Sequence, residues 1–375
     1  MIEKLGNIAT YLNGYAFKPS DWSESGLPII RIQDLTGTSA KPNYYEKPYD
    51  KKYEINEGDV LISWSASLGV YVWHGRKALL NQHIFKVIFD KIAVDKDFFV
   101  YQVEYILEKA TALVHGATMQ HLTRPVFNNL PFKLFPIERQ QKIALTLNTI
   151  STLINDRQKQ LQYLDGLIKS QFIETFGRPG EDVKGWGLTT LGKCCKLNPR
   201  NSTGIADDVQ VSFVPMSAVS EHGTIDVSGH KPYGEVKTGY THFEENDVLF
   251  AKITPCMENG KGAVATGLEN GIGAGSTEFH VLRPIPGKSN PYWLYTLTML
   301  DGFREEAKKR MTGTGGQLRV PIGFLNYYPI SAPPIDLQNT FESIVKQSDK
   351  SRLAVQKSLD ELEILKKSLM QKYFG

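Results

Sequence analysis

Cysteine is scarce in this 375-residue chain: Cys194 and Cys195 are adjacent and Cys256 stands alone. An odd count without paired spacing gives no sign of a disulfide framework. Neither a C-x-x-C pair nor an H-E-x-x-H pair occurs, so the usual metal-ligand spacings are missing, and no metal is expected. Long apolar runs are absent too. Nothing approaches the roughly 18 uninterrupted apolar residues of a membrane span, and the opening "MIEKLGNIATYLNGYAF" has no apolar core of leader length. A soluble cytoplasmic protein is the expectation. An excess of one charge is also missing. The net charge is +3, with 16 basic and 15 acidic residues in 1–140 and 16 and 17 in 178–340. No block announces nucleic acid by electrostatics alone. The hydrophobic content of 41% is a globular value, and the length suits two or three domains.

Catalytic signatures fail one by one. "GIGAG" (271–275) has the look of a nucleotide loop, but a strand-like "STEFHVL" follows where a helix is needed. It reads as a turn before a strand. "NGKGA" (259–263) lacks the spacing of a phosphate-binding loop and its Ser or Thr after Lys. "NPY" (290–292) reads as a helix start, with Asn290 at the N-cap and Pro291 following. The eight histidines are scattered, and a lone His83 or His280 on a strand pattern reads as structural. No active site can be assembled, which points to binding.

What the chain does have is a repeat. "KSQFIETFG" (169–177) returns 198 residues later as the closing "KSLMQKYFG" (367–375). Followed backwards, Leu161 meets Leu359, Leu164 meets Leu362, and "FPIERQQ" (135–141) meets "PPIDLQN" (333–339). "GATMQHL" (116–122) faces "GTGGQLR" (313–319), "INEGDVLIS" (55–63) faces "FEENDVLFA" (243–251), and Leu5-Gly6 faces Leu191-Gly192. The offset drifts from 186 to 198 but the order of landmarks never changes. One unit is therefore present twice, and each unit is too long for a solenoid repeat.

Each unit closes with a helical pattern. Leu147, Ile150, Ile154, Leu161, Leu164 and Ile168 recur at steps of three, four or seven, and the second copy keeps Val345, Val355, Leu359, Leu362 and Leu369. A helix of about 35 residues, about 50 Å long, cannot hide such a stripe alone. The nearest partner is the other copy, and an antiparallel coiled coil is expected. The body of each unit reads as mainly β, with strands expected at 27–32, 59–64, 69–73 and 83–89, then at 211–216, 247–253 and 277–282. One helix is expected after each set, at 98–113 and at 291–309.

The whole pattern resembles the specificity (S) subunit of type I DNA restriction–modification systems. The resemblance rests on "YLNGYAF" (11–17), "LPIIRIQDLTG" (27–37), "EGDVLIS" (57–63), the G-x-x-x-Q loops, the P-I-acid-x-Q motifs and two helices ending in FG. It implies an α+β fold with two similar target-recognition domains (1–140 and 178–338), each followed by a spacer helix (141–177 and 339–375). Each domain would read one half of a bipartite, asymmetric site on double-stranded DNA. The paired helices would set the gap and dock two methyltransferase (M) subunits. The chain itself would be no enzyme and hold no cofactor. S-adenosylmethionine, and ATP with magnesium, would sit on partner subunits, the latter on motor–nuclease (R) subunits. Two domains facing one side of a duplex favour half-site centres about 10 bp apart.

Base-reading chemistry then selects candidates, since Arg pairs with guanine and Asn or Gln with adenine. In the first domain these are Asn13, Tyr15, Lys18, Arg31, Gln33, Trp64, Asn81, Gln82, Gln120 and His121. In the second they are Arg200, Lys252, Thr254, Lys261, Ser276, Thr277, Gln317 and Arg319. The loop "TGTGGQLR" (312–319) stands out, because its glycines allow close backbone approach. Balanced charge implies weak, salt-sensitive DNA binding by the chain alone. A coiled-coil adaptor with no DNA role is the competing reading, and would show no DNA dependence of its assembly.

Overall fold

The computed structural model describes residues 1–39, 41–113, 122–200 and 204–375, apart from the side chains of 112 and 113. The chain divides into two compact units, Met1–Arg157 with Ser358–Gly375, and Gln158–Lys357. Both four-stranded sheets and the short clasping pair of the first unit recur in the second. In unit 1 an antiparallel sheet runs in the order Thr10–Asn13, Ile84–Ile88, Val60–Ser63, Gly69–Val72. Unit 2 has the same order in Cys195–Leu197, Phe279–Pro284, Val248–Ala251, Gly262–Val264. A second sheet is mixed in both, with one parallel pair at its centre: Leu27–Ile30 beside Ala78–Leu80, and Gln210–Val214 beside Ile272–Gly275. A short pair clasps each unit, Ile2–Lys4 with Pro131–Lys133 and Leu188–Thr190 with Pro329–Ser331. The D-V-L repeat is the central strand of the first sheet each time. Val60–Ser63 and Val248–Ala251 are buried throughout, as a strand covered on both faces must be.

Two expectations need correction. The segment 271–275 is not a turn: Ile272–Gly275 is itself a strand. Its glycines are packing residues. A Cβ on Gly273 would lie 2.1 Å from the Phe243 ring, and one on Gly275 would lie 2.1 Å from the Val214 carbonyl. The helix expected over 291–309 is two helices, Pro291–Met299 and Asp301–Lys309, broken at an extended Leu300. Buried Arg304 braces the break by donating to the Thr298 and Met257 carbonyls. Asn290 caps the first of these helices, accepting from the Tyr292 and Trp293 amides.

The two long helices are Ile137–Phe176 and Ile335–Phe374, each 40 residues. The glutamine of each P-I-acid-x-Q motif fixes where they start. Gln140 accepts from the Asp95 amide and donates to the Phe135 carbonyl, and Gln338 accepts from the Asn290 amide and donates to the Lys288 and Pro333 carbonyls. Both glutamines are almost fully buried, and the accepted bond in each joins the long helix to the residue that starts an earlier helix, Lys96–Leu113 or Pro291–Met299.

The repeated F-G endings explain the antiparallel pairing. Phe172 and Phe176, at the end of the first long helix, pack in unit 2 on Trp293, Phe341 and Val345. Phe374 and Met370, at the end of the second, pack in unit 1 with Phe98, Ile143, Ala144 and Leu147. Each helix thus ends against the beginning of the other. All eleven seam residues, Leu147 through Leu369, are buried or half-buried, whereas Leu145, Leu353 and Ile364 on other faces are open to solvent. Arg157, which interrupts the apolar stripe, donates to the Ser358 hydroxyl. Gly177 ends the first helix in a left-handed conformation (φ +80°), its amide bonding the Ile173 carbonyl.

Phe341 is 1% exposed and packs edge-on against the Phe172 and Phe176 rings, so Phe341→Ala should cost about 3–5 kcal/mol. Leu353 on the same helix is 73% exposed, and Leu353→Ala should fall within about 0.5 kcal/mol of the parent. Denaturant unfolding of the two variants side by side checks the pair.

Candidate nucleic-acid interface

In unit 1 the chain leaves the strand Thr10–Asn13 and crosses the turn after Ala78–Leu80. The crossing is tight. A Cβ on Gly14 would sit 2.2 Å from the Leu80 carbonyl oxygen, so the N-G-Y of "YLNGYAF" admits only glycine there. Tyr15 bridges Asn81, and the Gln82 amide donates to the Tyr15 carbonyl at 3.0 Å. Asn13 Nδ2 donates to the Gln82 carbonyl at 3.1 Å. Gln82 Nε2 lies 3.0 Å from His83 Nε2, and the His83 ring lies 5.4 Å from that of Trp64. Tyr15 is 41% exposed and makes edge contacts with Phe17 and Tyr53. Asn13, Tyr15, Trp64, Asn81 and Gln82 are therefore one cluster of amides and aromatic rings at the ends of both sheets. Such a surface offers stacking faces and amide forks together.

Three candidates of the first domain stand apart from it. Arg31 is half-buried and bound to Asp34 at 3.0 Å, to Ser39 Oγ and to the Lys41 carbonyl, with Trp22 over its guanidinium. Those bonds tie Arg31 to Asp34, Ser39 and Lys41. Lys18 and Gln33 are exposed, one beside the turn that Asp21 caps and one on a short helix, Ile32–Leu35. Gln120 and His121 lie outside the described residues.

Unit 2 builds its cluster differently. "TGTGGQLR" is a hairpin, Thr312–Thr314 paired with Gln317–Arg319, turning on Gly315 and Gly316 at φ +64° and +77°. Thr254 ties it down. Its hydroxyl donates to the Gly316 carbonyl at 2.9 Å and accepts from the Leu318 amide at 3.1 Å. Arg319 forms a two-pronged pair with Glu278, Nε to Oε2 at 2.9 Å and Nη2 to Oε1 at 2.7 Å. The Lys252 amide donates to the Glu278 carbonyl, and Ser276 Oγ accepts from the Glu278 amide. Lys252, Thr254, Ser276, Thr277, Gln317 and Arg319 so converge on one edge, with Thr277 and Gln317 exposed. Lys261 is turned away, half-buried with Nζ on the Met216 carbonyl at 3.3 Å. Arg200 is exposed in a different cleft, beside Tyr233 and His242.

Backbone bonds match the two clusters position by position. The first residue after each D-V-L strand, Trp64 or Lys252, donates to His83 or Glu278, and its carbonyl accepts from Leu122 or Val320. Across the strand, Ile62 faces Phe85 where Phe250 faces His280. The same scaffold thus presents Trp64 and His83 in one unit and Lys252 and Glu278 in the other. His83 was read as structural and Glu278 was not singled out. The signal for both was the D-V-L register, which puts each at the mouth of the neighbouring strand. Electrostatics follow the same division. Hydrogen bonds from Arg319 hold the Glu278 carboxyl below the usual carboxylate range. Burial lowers the His280 imidazole below its ordinary value, with Nε2 at 2.9 Å from the Val320 carbonyl and Nδ1 at 3.1 Å from Asn198 Nδ2. Donation to a carbonyl assigns the proton to Nε2. Among the described residues no group of three or more His, Cys, Asp or Glu could hold a metal ion, and no helix is long and apolar enough to cross a membrane.

The family model described as "Type I restriction modification DNA specificity domain" matches residues 1–163. Residues 1–163 are thus similar to a type I specificity domain. The resemblance drawn from the sequence is borne out. Over 200 residues the chain is 38% identical to the EcoEI specificity subunit of Escherichia coli, covering 52% of this chain and 33% of that protein. It is 41% identical over 165 residues to the EcoAI specificity subunit of the same organism, covering 43% of this chain and 27% of that one. The chain thus aligns with about a third of the length of these two relatives. A 22% identical relative, the MjaVIII specificity subunit of Methanocaldococcus jannaschii, aligns over 98% of this chain and 90% of its own length. The fold matches the S subunit from M. genitalium with TM-score 0.55 at 13% identity, covering 100% of this chain and 96% of that one. It also matches a chain from a structure of a type I R-M system, titled for its complex assembly and conformational transition, with TM-score 0.56 at 16% identity, covering 100% and 97%. The α+β architecture of two β-rich domains with two long paired helices is therefore that of solved S subunits.

The depressed imidazole of His280 has a consequence for stability. As pH falls below about 6.5, the unfolded chain takes up a proton at this position before the folded one, so stability drops. Thermal unfolding should show a steeper loss between about pH 7.5 and 5.5 for the parent than for His280→Gln. Parallel curves would contradict the assignment.

Proposed function

We propose that this chain is the non-catalytic, sequence-reading subunit of a type I restriction–modification complex. The observation that carries the reading is the repeated scaffold with unlike clusters at matching positions: aromatic and amide groups in unit 1, an Arg–Glu pair and a Gly-Gly hairpin in unit 2. A duplicated reader with divergent contact residues is what an asymmetric, bipartite site requires. The target-recognition domains are 1–140 and 178–338, with spacer segments 141–177 and 339–375. Asn13, Tyr15, Trp64, Asn81 and Gln82 read one half-site, and Lys252, Thr254, Ser276, Thr277, Gln317 and Arg319 the other. Lys18, Gln33, Gln120, His121 and Arg200 are flanking contacts to the DNA backbone. The partners are double-stranded DNA, two M subunits and R subunits, in the cytoplasm. S-adenosylmethionine, and ATP with magnesium, belong to those subunits.

Co-expression with the methyltransferase of its own system, in a host without DNA methylation, tests this by long-read detection of modified adenine. A bipartite motif with unlike halves should appear only when both chains are present. A complex that co-purifies yet adds no methylation would favour the adaptor reading instead. The spacer role is tested separately. Removing one heptad from each long helix shortens the pair by about 10 Å, about 3 bp of duplex. The unread gap in the motif should change and both half-sites should stay the same.

A further inference from the structure

Arg319 is held in a way that prepares it for one task. Its bonds to Glu278 and to the Gln317 carbonyl occupy Nε and one N–H on each terminal nitrogen, leaving one further N–H on each. Two N–H groups on the two terminal nitrogens form the fork that matches guanine O6 and N7. The Arg319 side chain is still 40% exposed, and the exposed Gln317 precedes it on the same hairpin strand. Glu278 is the more sheltered partner, with its side chain 24% exposed. Its own position is fixed at both backbone atoms, the amide by Ser276 Oγ and the carbonyl by the Lys252 amide. A carboxylate fixed to the sheet thus sets the direction of an arginine on a glycine-turned hairpin.

We infer that Glu278 is a positioning residue that aims the Arg319 fork at a guanine in the half-site read by unit 2. The inference rests on the DNA-reading function proposed above and deepens it. A free arginine side chain would have to lose several rotamers on meeting a base, whereas here that ordering is completed before DNA arrives. The carboxylate also acts as a filter. Brought toward the DNA backbone without a base to accept the fork, it faces phosphate with like charge, which disfavours non-cognate sequences. Unit 1 has His83 at the matching position, without a fixed negative charge, so the device belongs to one half-site only.

The test is the methylated motif of four versions of the complex: the unaltered chain, Glu278→Gln, Arg319→Gln, and both together. Glu278→Gln should relax a single guanine position in one half-site by about tenfold or more, leaving the other half-site intact. Arg319→Gln should relax the same position, and the double variant should be no worse than Arg319→Gln alone. Arg319→Lys keeps the charge and the pairing with Glu278 but lacks the fork, so it should relax that position too. If Glu278→Gln lowers thermal stability, the Arg319→Lys result still decides. A motif unchanged in Glu278→Gln and Arg319→Lys, effects that add in the double variant, or relaxation in both half-sites would overturn the inference. No motif from the unaltered chain would instead overturn the DNA-reading function, and the inference with it.

Discussion

The apolar stripe on each 40-residue helix is the constraint on which the rest depends. A stripe that long cannot be covered by a small β domain, and in water it must find a second stripe. The solution is reciprocal. The end of the first helix, carrying Phe172 and Phe176, completes the core of unit 2, and the end of the second, carrying Met370 and Phe374, completes that of unit 1. Neither core closes on its own repeat alone. That is why the F-G endings had to be kept in both copies while much of the remainder was free to change. The buried amides of Gln140 and Gln338 serve the same end, because a helix that must meet its partner in register needs a fixed start. Polar groups buried to that degree are costly unless every bond is made, and here both amides bond main-chain groups on two sides.

Once the frame is fixed in this way, variation is confined to the mouths of the strands. Trp64 and Lys252 leave equivalent strands, and His83 and Glu278 enter equivalent ones. Phe85 and His280 occupy the same core position with different consequences, one purely apolar, the other binding Val320 and Asn198. The scaffold therefore separates two demands. Stability is met by the repeated residues, and the proposed recognition by those that differ.

The repeat, the long helices and the D-V-L strands were legible because each is a local pattern or a copy of one. The antiparallel pairing was legible by elimination, since only one other stripe of that length exists in the chain. What escaped was set by contacts remote in sequence. "GIGAG" looks like a turn until Phe243 is placed over Gly273 and the Val214 carbonyl against Gly275. The helix 291–309 has no proline at its middle, only Asp301 and Gly302, and its break at Leu300 is held by Arg304 reaching the Thr298 and Met257 carbonyls. Arg31 carries the chemistry of a base reader, but Asp34 three residues on is its partner. Glu278 stands 41 residues from Arg319, and no periodicity joins them. Residue type proposes a contact, and only the register of distant strands decides which groups face each other.

The same pair accounts for a feature that composition made puzzling, nearly balanced charge in a chain proposed to read DNA. Affinity from phosphate contacts is largely indifferent to sequence and grows with every unpaired lysine or arginine. In unit 2 the best-placed arginine is paired with a carboxylate, Lys308 is paired with Glu258, and Lys237 with Asp207. Such pairing gives up non-specific attraction. What remains at Arg319 is a directed fork whose attraction to a base edge survives while its long-range attraction to phosphate is cancelled. Discrimination per contact rises as background binding falls, and under the proposed function the affinity forgone by the chain would come from its partner subunits. Near-zero net charge is then a condition for selectivity in this fold, because a basic surface would hold every sequence and blur the one position that Glu278 and Arg319 are arranged to read.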